Sequence, residues 1–184
     1  MSESDLDEVL EAARRGDEWA IACLFRAMQP QLLRYLTHHA PDAAEDLASE
    51  TWLSAARLLS EFEGSAQEFR ALLFTIAKRR VVDHYRKQGR RPKLVALDDI
   101  SEQPGPDDVA QIVVGALSAQ QAIEALTEVL PPDQAEVVLL RVVADLSAEE
   151  VALVMGRSPG SVRVLQHRAL RKLAKHFQRE DVTQ

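Results

Sequence analysis

The chain has 184 residues, 46% of them hydrophobic, and a formal net charge of −7, which suits one ordinary domain or two small ones. That apolar content excludes wholesale disorder, and no apolar run approaches the roughly 18 residues of a membrane span. The acidic start, residues 1–11, reads as neither a secretory signal nor a transit peptide. A single cysteine, Cys23, excludes an internal disulfide and a cysteine zinc cluster. It falls in an apolar helical pattern and is expected to be a buried core thiol of a cytoplasmic protein.

Apolar residues recur at spacings of three and four throughout, and β-branched runs are short, so the chain is predicted to be all-α. Helices are expected near 5–15, 18–39, 43–59 and 67–88, with Gly16, Pro41 and the Glu63-Gly64-Ser65 stretch as breaks. The fourth begins with an apolar face (Phe69, Leu72, Leu73, Ile76) and ends strongly basic. Residues 98–108 are acidic, carry two prolines and show no amphipathic period, which marks a linker. Helices resume near 119–129, 132–144, 148–155 and 159–177. The expected organisation is two small helical domains, 1–95 and 118–184, joined by an acidic flexible linker at 96–117.

The second domain spells out a helix-turn-helix. Ser147-Ala148-Glu149-Glu150 reads as a capping box, with Ser147 as N-cap and Glu150 at the third helical position. An apolar helix runs into a Gly156-Arg157 turn, and Ser158-Pro159 restarts a helix with Ser158 as N-cap and Pro159 at its first position. At about 100° per residue, Val162, Leu165, Ala169 and Leu173 share one side and should pack inward. Ser158 and Ser161 open the helix, and Arg163, Val164, His167, Arg168, Arg171 and Lys175 fall on the other side or its flanks. Such a helix, held by its apolar stripe, suits the major groove of DNA.

The acidic total hides two basic stripes. Residues 78–93 carry eight basic side chains against Asp83, and residues 157–179 carry seven with no acid, so each stripe is +7 and the remainder is −21. Basic stripes on an acidic body imply guided rather than indiscriminate DNA binding, by a protein that reaches DNA with a partner's help. If each stripe neutralises about four phosphates, its logarithmic salt slope is about −3.6. With DNA binding assigned to the second domain, Lys78, Arg79, Arg80, Arg86, Lys87, Arg90 and Arg91 read as nucleic-acid contacts too. Phe62 and Tyr85, beside these cations, are placed to stack on unstacked bases, whereas Phe69 and Phe74 read as core.

Residues 130–141, 146–152 and 160–170 resemble region four of bacterial extracytoplasmic-function (ECF) sigma factors of the sigma-seventy family. Residues 44–52 and 69–77 resemble region two. The resemblance covers nearly the whole chain outside the termini and linker. It implies a protein that binds core RNA polymerase, directs it to promoters and helps melt the −10 element. Region two would dock on polymerase through Asp46, Leu47, Ser49, Glu50 and Trp52. The loop at 62–67 would form the pocket for a flipped −10 base, and the basic helix beyond would hold the adjacent strand. The helix after Ser158 would read the −35 element, and an anti-sigma factor would be a further partner. Family members often carry Gln where Ser49 stands, and Asn or His at Arg79.

Two rivals remain open in the sequence. His38, His39, Asp42, Glu45 and Asp46 could be drawn as a metal cluster, but Pro41 separates two helices there and spreads the ligands. No glycine-rich phosphate loop, nucleophile elbow or HExxH occurs, so no catalytic residue, cofactor or metal is assigned. The alternative function is a helix-turn-helix transcriptional regulator that binds an operator without acting as a polymerase subunit.

Overall fold

The structure, a computed structural model, describes residues 3–89 and 129–181, and every regular element among them is helical. The N-terminal half holds α1 (Glu3–Arg14), α2 (Glu18–His39), α3 (Ala44–Leu59) and α4 (Ala66–Lys87). The C-terminal half holds α5 (Pro132–Val138), α6 (Ala148–Met155) and α7 (Pro159–Asp181). The expected linker, and all but the last residue of the helix expected at 119–129, lie outside the described residues.

Local chemistry accounts for most boundaries. A 3-10 turn over Pro41–Ala43 separates α2 from α3, as the proline predicts. Ser65 caps α4 and Ser147 caps α6, each in a reciprocal box with the Glu at the third helical position. Gly156 closes α6 in the left-handed conformation at φ 64°, which costs a side-chain-bearing residue more than glycine. The Ser161 N–H donates to Ser158 Oγ at 3.2 Å, completing the cap of α7. One helix differs from expectation. The segment predicted as continuous over 132–144 widens into a π turn at Leu139–Val143, followed by Asp145 at a left-handed φ of 55°. An Asp tolerates that conformation, and Leu146 N–H then returns to Leu140 O at 3.0 Å.

Tyr35, Phe69, Phe74, Leu10, Leu24, Leu32 and Leu73 form the buried centre of the N-terminal half. Phe69 and Phe74 are thus core, as expected. Cys23 is only half-buried, and its sulfur lies 3.7 Å from an Arg26 guanidinium nitrogen, so the expected buried thiol is corrected. The apolar stripe of α7 behaves as predicted, with Val162, Leu165, Ala169 and Leu173 all buried.

The two halves are not separate bodies. One hydrophobic cluster runs from α1–α4 into Val137, Leu140, Leu146, Val151 and Val162 of the C-terminal half. A second, smaller cluster of Leu130, Ala135, Val138, Leu139, Ala169 and Leu173 joins α5 to α7. Polar contacts line the seam between halves. Arg70 on α4 makes a two-pronged bond to Glu150, with Nε 2.5 Å from Oε1 and Nη2 2.8 Å from Oε2. Gln67 Nε2 donates to Ser147 Oγ at 2.9 Å, and Arg34 Nε to Val143 O at 3.0 Å.

Glu150 is fully buried while Arg70 is about one quarter exposed. Removing Arg70 strands a buried carboxylate, whereas removing Ser147 costs one cap and the neutral hydrogen bond from Gln67. Arg70→Ala should therefore destabilise the chain by about 3 kcal/mol and Ser147→Ala by about 1 kcal/mol. Urea unfolding at neutral pH measures both. Equal effects would show that the cross-half pair adds nothing to the cap.

Candidate nucleic-acid and polymerase interface

The face of α7 is set by which of its side chains the core claims. Arg168, Arg171 and Lys175, spaced three and four apart, are exposed on one side, and Lys172 is exposed beside them. Ser161 and His167 are half-buried, and Ser158 is exposed at the cap. Two basic side chains of this stripe are used internally. Arg157 bonds Asp133 on α5, and Arg163 Nη2 sits 2.5 Å from Glu149 Oε1 on α6. Val164, expected on the outward side, is 7% exposed and buried. Helix periodicity alone put it at the flank, and periodicity does not record what lies over a flank. Among the described side chains of the stripe, Arg168, Arg171, Lys172 and Lys175 remain outward.

On the N-terminal half, Arg79, Arg86 and Lys87 are exposed along α4, with Arg86 Nη1 3.7 Å from Asp83. Lys78 is half-buried. Arg80 donates to Glu50 Oε2 at 3.1 Å and to Ser54 Oγ at 2.8 Å. Arg80 and Glu50, expected to serve DNA and polymerase respectively, thus face each other across α3 and α4. Arg90 and Arg91 lie outside the described residues. Both aromatic candidates are half-buried: Phe62 stands edge-on to Phe69 at 5.4 Å, and the Tyr85 hydroxyl donates to His39 O.

Of the expected polymerase contacts, Asp46, Ser49 and Glu50 are exposed on α3 and Trp52 is half-buried, but Leu47 is core. Trp52 leads to residues that sequence reasoning missed. Its ring packs 5.2 Å from Phe25, and its Nε1 donates to Gln29 Oε1 at 2.7 Å. Phe25 is 42% exposed and Leu53, next to Trp52, 62% exposed. A signal was present. The buried positions of α2 run through Ala20, Leu24, Met28, Leu32 and Leu36, and Phe25 lies off that stripe. A large aromatic off the core face marks a candidate contact surface.

Residues 24–91 match the family model for sigma-70 region 2, and residues 120–173 match that for sigma-70 region 4. The ECF RNA polymerase sigma factor SigD of Mycobacterium tuberculosis is 34% identical over 177 residues, spanning 91% of this chain and 82% of that protein. The ECF RNA polymerase sigma factor ShbA of Streptomyces griseus is 34% identical over 178 residues, spanning 90% and 91%. Among solved structures, CnrH in complex with the cytosolic domain of CnrY shares the fold at a TM-score of 0.66 and 22% identity, covering 94% of this chain and 97% of that one.

Beside the half-buried Lys78 lies a buried charge cluster at the seam. Glu136 on α5 is 2% exposed, and its Oε1 accepts the Tyr35 hydroxyl at 2.9 Å. His39 Nε2 stands 3.4 Å from Oε2, within ion-pair range but without the alignment of a hydrogen bond. Burial opposes the charged form of Glu136, yet His39, Lys78 and the Tyr35 hydroxyl outweigh it and hold the carboxyl below its usual range. Burial, then Glu136, pushes the Tyr35 phenol well up. Burial, then the neighbouring His39, lowers His38 to about 4.

The signs give a pH window. His38 and Glu136 both have depressed folded pKa values, so their contribution is present above the unfolded values, about 6.5 for His, and is lost as pH falls. Tyr35 is raised, so its share is present below about 10 and is lost above it. Thermal unfolding followed from pH 7 to pH 4 should show falling stability, with the slope beginning near 6.5. His38→Gln should remove part of that slope, whereas Glu136→Gln should act only below the ordinary carboxylate range. An unchanged slope in the His38 variant would assign the acid sensitivity to other groups.

Proposed function

The chain belongs to the extracytoplasmic-function (ECF) sigma factors of the sigma-70 family, and we propose that its two packed halves separate when it works. As an RNA polymerase sigma factor it directs core polymerase to specific promoters and helps melt the −10 element, and it is not an enzyme. Its partners are core RNA polymerase and promoter DNA. The rival reading as a free-standing regulator fails because region 2 matches across residues 24–91.

The roles divide along the chain. Residues 1–95 act as the region-two domain, 96–117 as the tether and 118–184 as the region-four domain. Arg168, Arg171 and Lys175, with Ser158, Ser161, Arg163 and His167, read and hold the −35 element; the buried Val164 supports this face from beneath. Arg79, Arg86 and Lys87, with Lys78, Arg80, Tyr85, Arg90 and Arg91, hold the −10 region, and Phe62 belongs to the loop that captures a flipped base. Asp46, Ser49, Glu50 and Trp52 meet polymerase, with Leu47 fixing α3 from within. Phe25 and Leu53 extend that surface. No described helix is long and apolar enough to cross a membrane, and partnership with core polymerase supports a cytoplasmic location.

The continuous seam between halves is the observation that carries the separation. The two promoter elements lie roughly 25 base pairs apart by name, or about 85 Å of duplex at ~3.4 Å per pair. A compact chain of this length has a radius of gyration of about 16 Å. A chain closed through Arg70–Glu150 and Tyr35–Glu136 cannot touch both elements at once. A partner protein that favours the closed form would therefore silence the factor without covering either basic face. CnrH, which shares this fold, was solved in complex with the cytosolic domain of CnrY, which supports a protein partner of this kind, and we read that partner as an anti-sigma protein.

The defining experiment adds the chain to core polymerase and measures promoter-directed transcription and strand opening; no stimulation on any genomic promoter sinks the reading. Two narrower outcomes follow. In a Cys23→Ser background, a short bismaleimide joining cysteines introduced by Arg34→Cys and Val143→Cys should abolish opening while the unlinked protein stays active. Replacing Arg168 and Arg171 by Ala should weaken −35 binding, leave core-polymerase affinity intact and flatten the logarithmic salt slope by about 2. A salt titration of the holoenzyme on −35 duplex measures the last.

A further inference from the structure

The loop between α3 and α4 is held by α1 through contacts that neither the core nor the seam between halves requires. Asp7 and Arg14 lie seven residues apart on one face of α1. Asp7 Oδ1 accepts the Ala66 N–H at 2.6 Å. That N–H belongs to the first residue of α4 and has no partner within the helix, and a carboxylate there also favours the positive end of the helix. Arg14 Nη2 donates to Gly64 O at 2.5 Å, and its guanidinium lies over the Phe62 ring, 5.5 Å from the centroid. Glu11 holds the same guanidinium at Nη1, leaving it little freedom to swing away.

The loop itself has almost no alternative shape. Phe62 stands edge-on to Phe69. Ser65 and Glu68 close the capping box. A Cβ on Gly64 would meet Phe62 Cζ at 2.9 Å and Glu68 Oε2 at 3.0 Å, so a side chain there displaces the ring or breaks the box. The backbone from Phe62 to Ala66 is therefore fixed at its ring, its central carbonyl and its exit amide, and two of these three fixings come from α1.

We propose that Asp7 and Arg14 are positioning residues for −10 base capture: they brace the loop from Phe62 to Ala66 so that its pocket for the extruded base is formed before DNA arrives. This rests on the reading of that loop as the base pocket. A preformed pocket meets a flipped base without first ordering its own backbone, and displacement by an ångström at such a site costs roughly tenfold to a hundredfold. The brace acts on the loop alone. Polymerase docking on α3 and −35 reading by α7 do not pass through it.

The test uses the full chain assembled with core polymerase on a promoter that it transcribes. Opening is read from 2-aminopurine fluorescence in the −10 element, on the native sequence and on one with the captured base replaced. Arg14→Ala and Asp7→Ala should each reduce discrimination between the two templates roughly tenfold, with core-polymerase affinity and −35 duplex binding unchanged. Arg14→Lys, which keeps a donor near Gly64 O, should recover part of the loss. Gly64→Ala should reproduce it from the loop side, and it carries the test if an α1 variant fails to fold. Full discrimination in folded Arg14→Ala and Asp7→Ala holoenzymes, while Phe62→Ala loses it, overturns the brace and leaves the pocket standing. Full discrimination in Phe62→Ala as well overturns the pocket reading, and the brace with it.

Discussion

A single buried carboxylate fixes how the two halves of this protein meet. Glu150 occupies the third position of α6, where its Oε2 accepts the Ser147 N–H at 2.6 Å and completes the box that starts the helix. The same side chain receives both prongs of Arg70 from α4. A helix start is a favourable place for a carboxylate, because the unpaired amides and the dipole both favour negative charge there. The cap needs Glu150 folded back toward Ser147, and Arg70 can reach it only when α4 lies across that end of α6. One rotamer thus satisfies a local rule and a long-range one, and the helix-turn-helix is docked in a single register.

Charged contacts of this kind specify an arrangement more than they stabilise it. The attraction between buried ions is offset by the cost of removing both from water, and that cost is recovered when the contact opens and water returns. Tyr35, Glu136 and His39 add a second such contact at the seam. An apolar interface alone would bind the halves without regard to small slips, and opening it would expose surface that water does not welcome. Here the apolar cluster holds the halves together while the polar pairs at its edge set their register.

What the sequence disclosed follows the range of the interactions concerned. Ser147 with Glu150, Ser158 with Pro159, and the Gly156 turn act within a few residues, so their motifs located α6 and the start of α7 to the residue. The stripe of Val162, Leu165, Ala169 and Leu173 was legible because periodicity records which face a helix buries. Val164 was misplaced for the converse reason. Periodicity describes one helix, whereas its burial depends on what lies over the flank. The π turn at Leu139–Val143 left no composition signal, and the segment reads as plain helix until Asp145. The seam was invisible because its pairs, such as Tyr35–Glu136 and Arg70–Glu150, are separated by 101 and 80 positions. The family resemblance placed the two regions in order but says nothing about how this chain folds them together.

The closed structure also changes why the free chain should bind DNA poorly. Arg168, Arg171 and Lys175 remain exposed in it, as do Arg79, Arg86 and Lys87. Silence therefore does not require that either basic face be covered. Each stripe sits within a body whose remaining residues carry −21, and at physiological salt that charge acts over a screening length of about 8 Å. Either stripe alone offers few phosphate contacts, and the packed halves cannot place both on one promoter. Under the proposed opening, separation would relieve the second constraint. The loop from Phe62 to Ala66, by contrast, is held by α1 within one half and takes no part in the seam. In such an opening the domains would move as bodies while the loop proposed to capture the base keeps its brace, because reach and capture place opposite demands on the same chain.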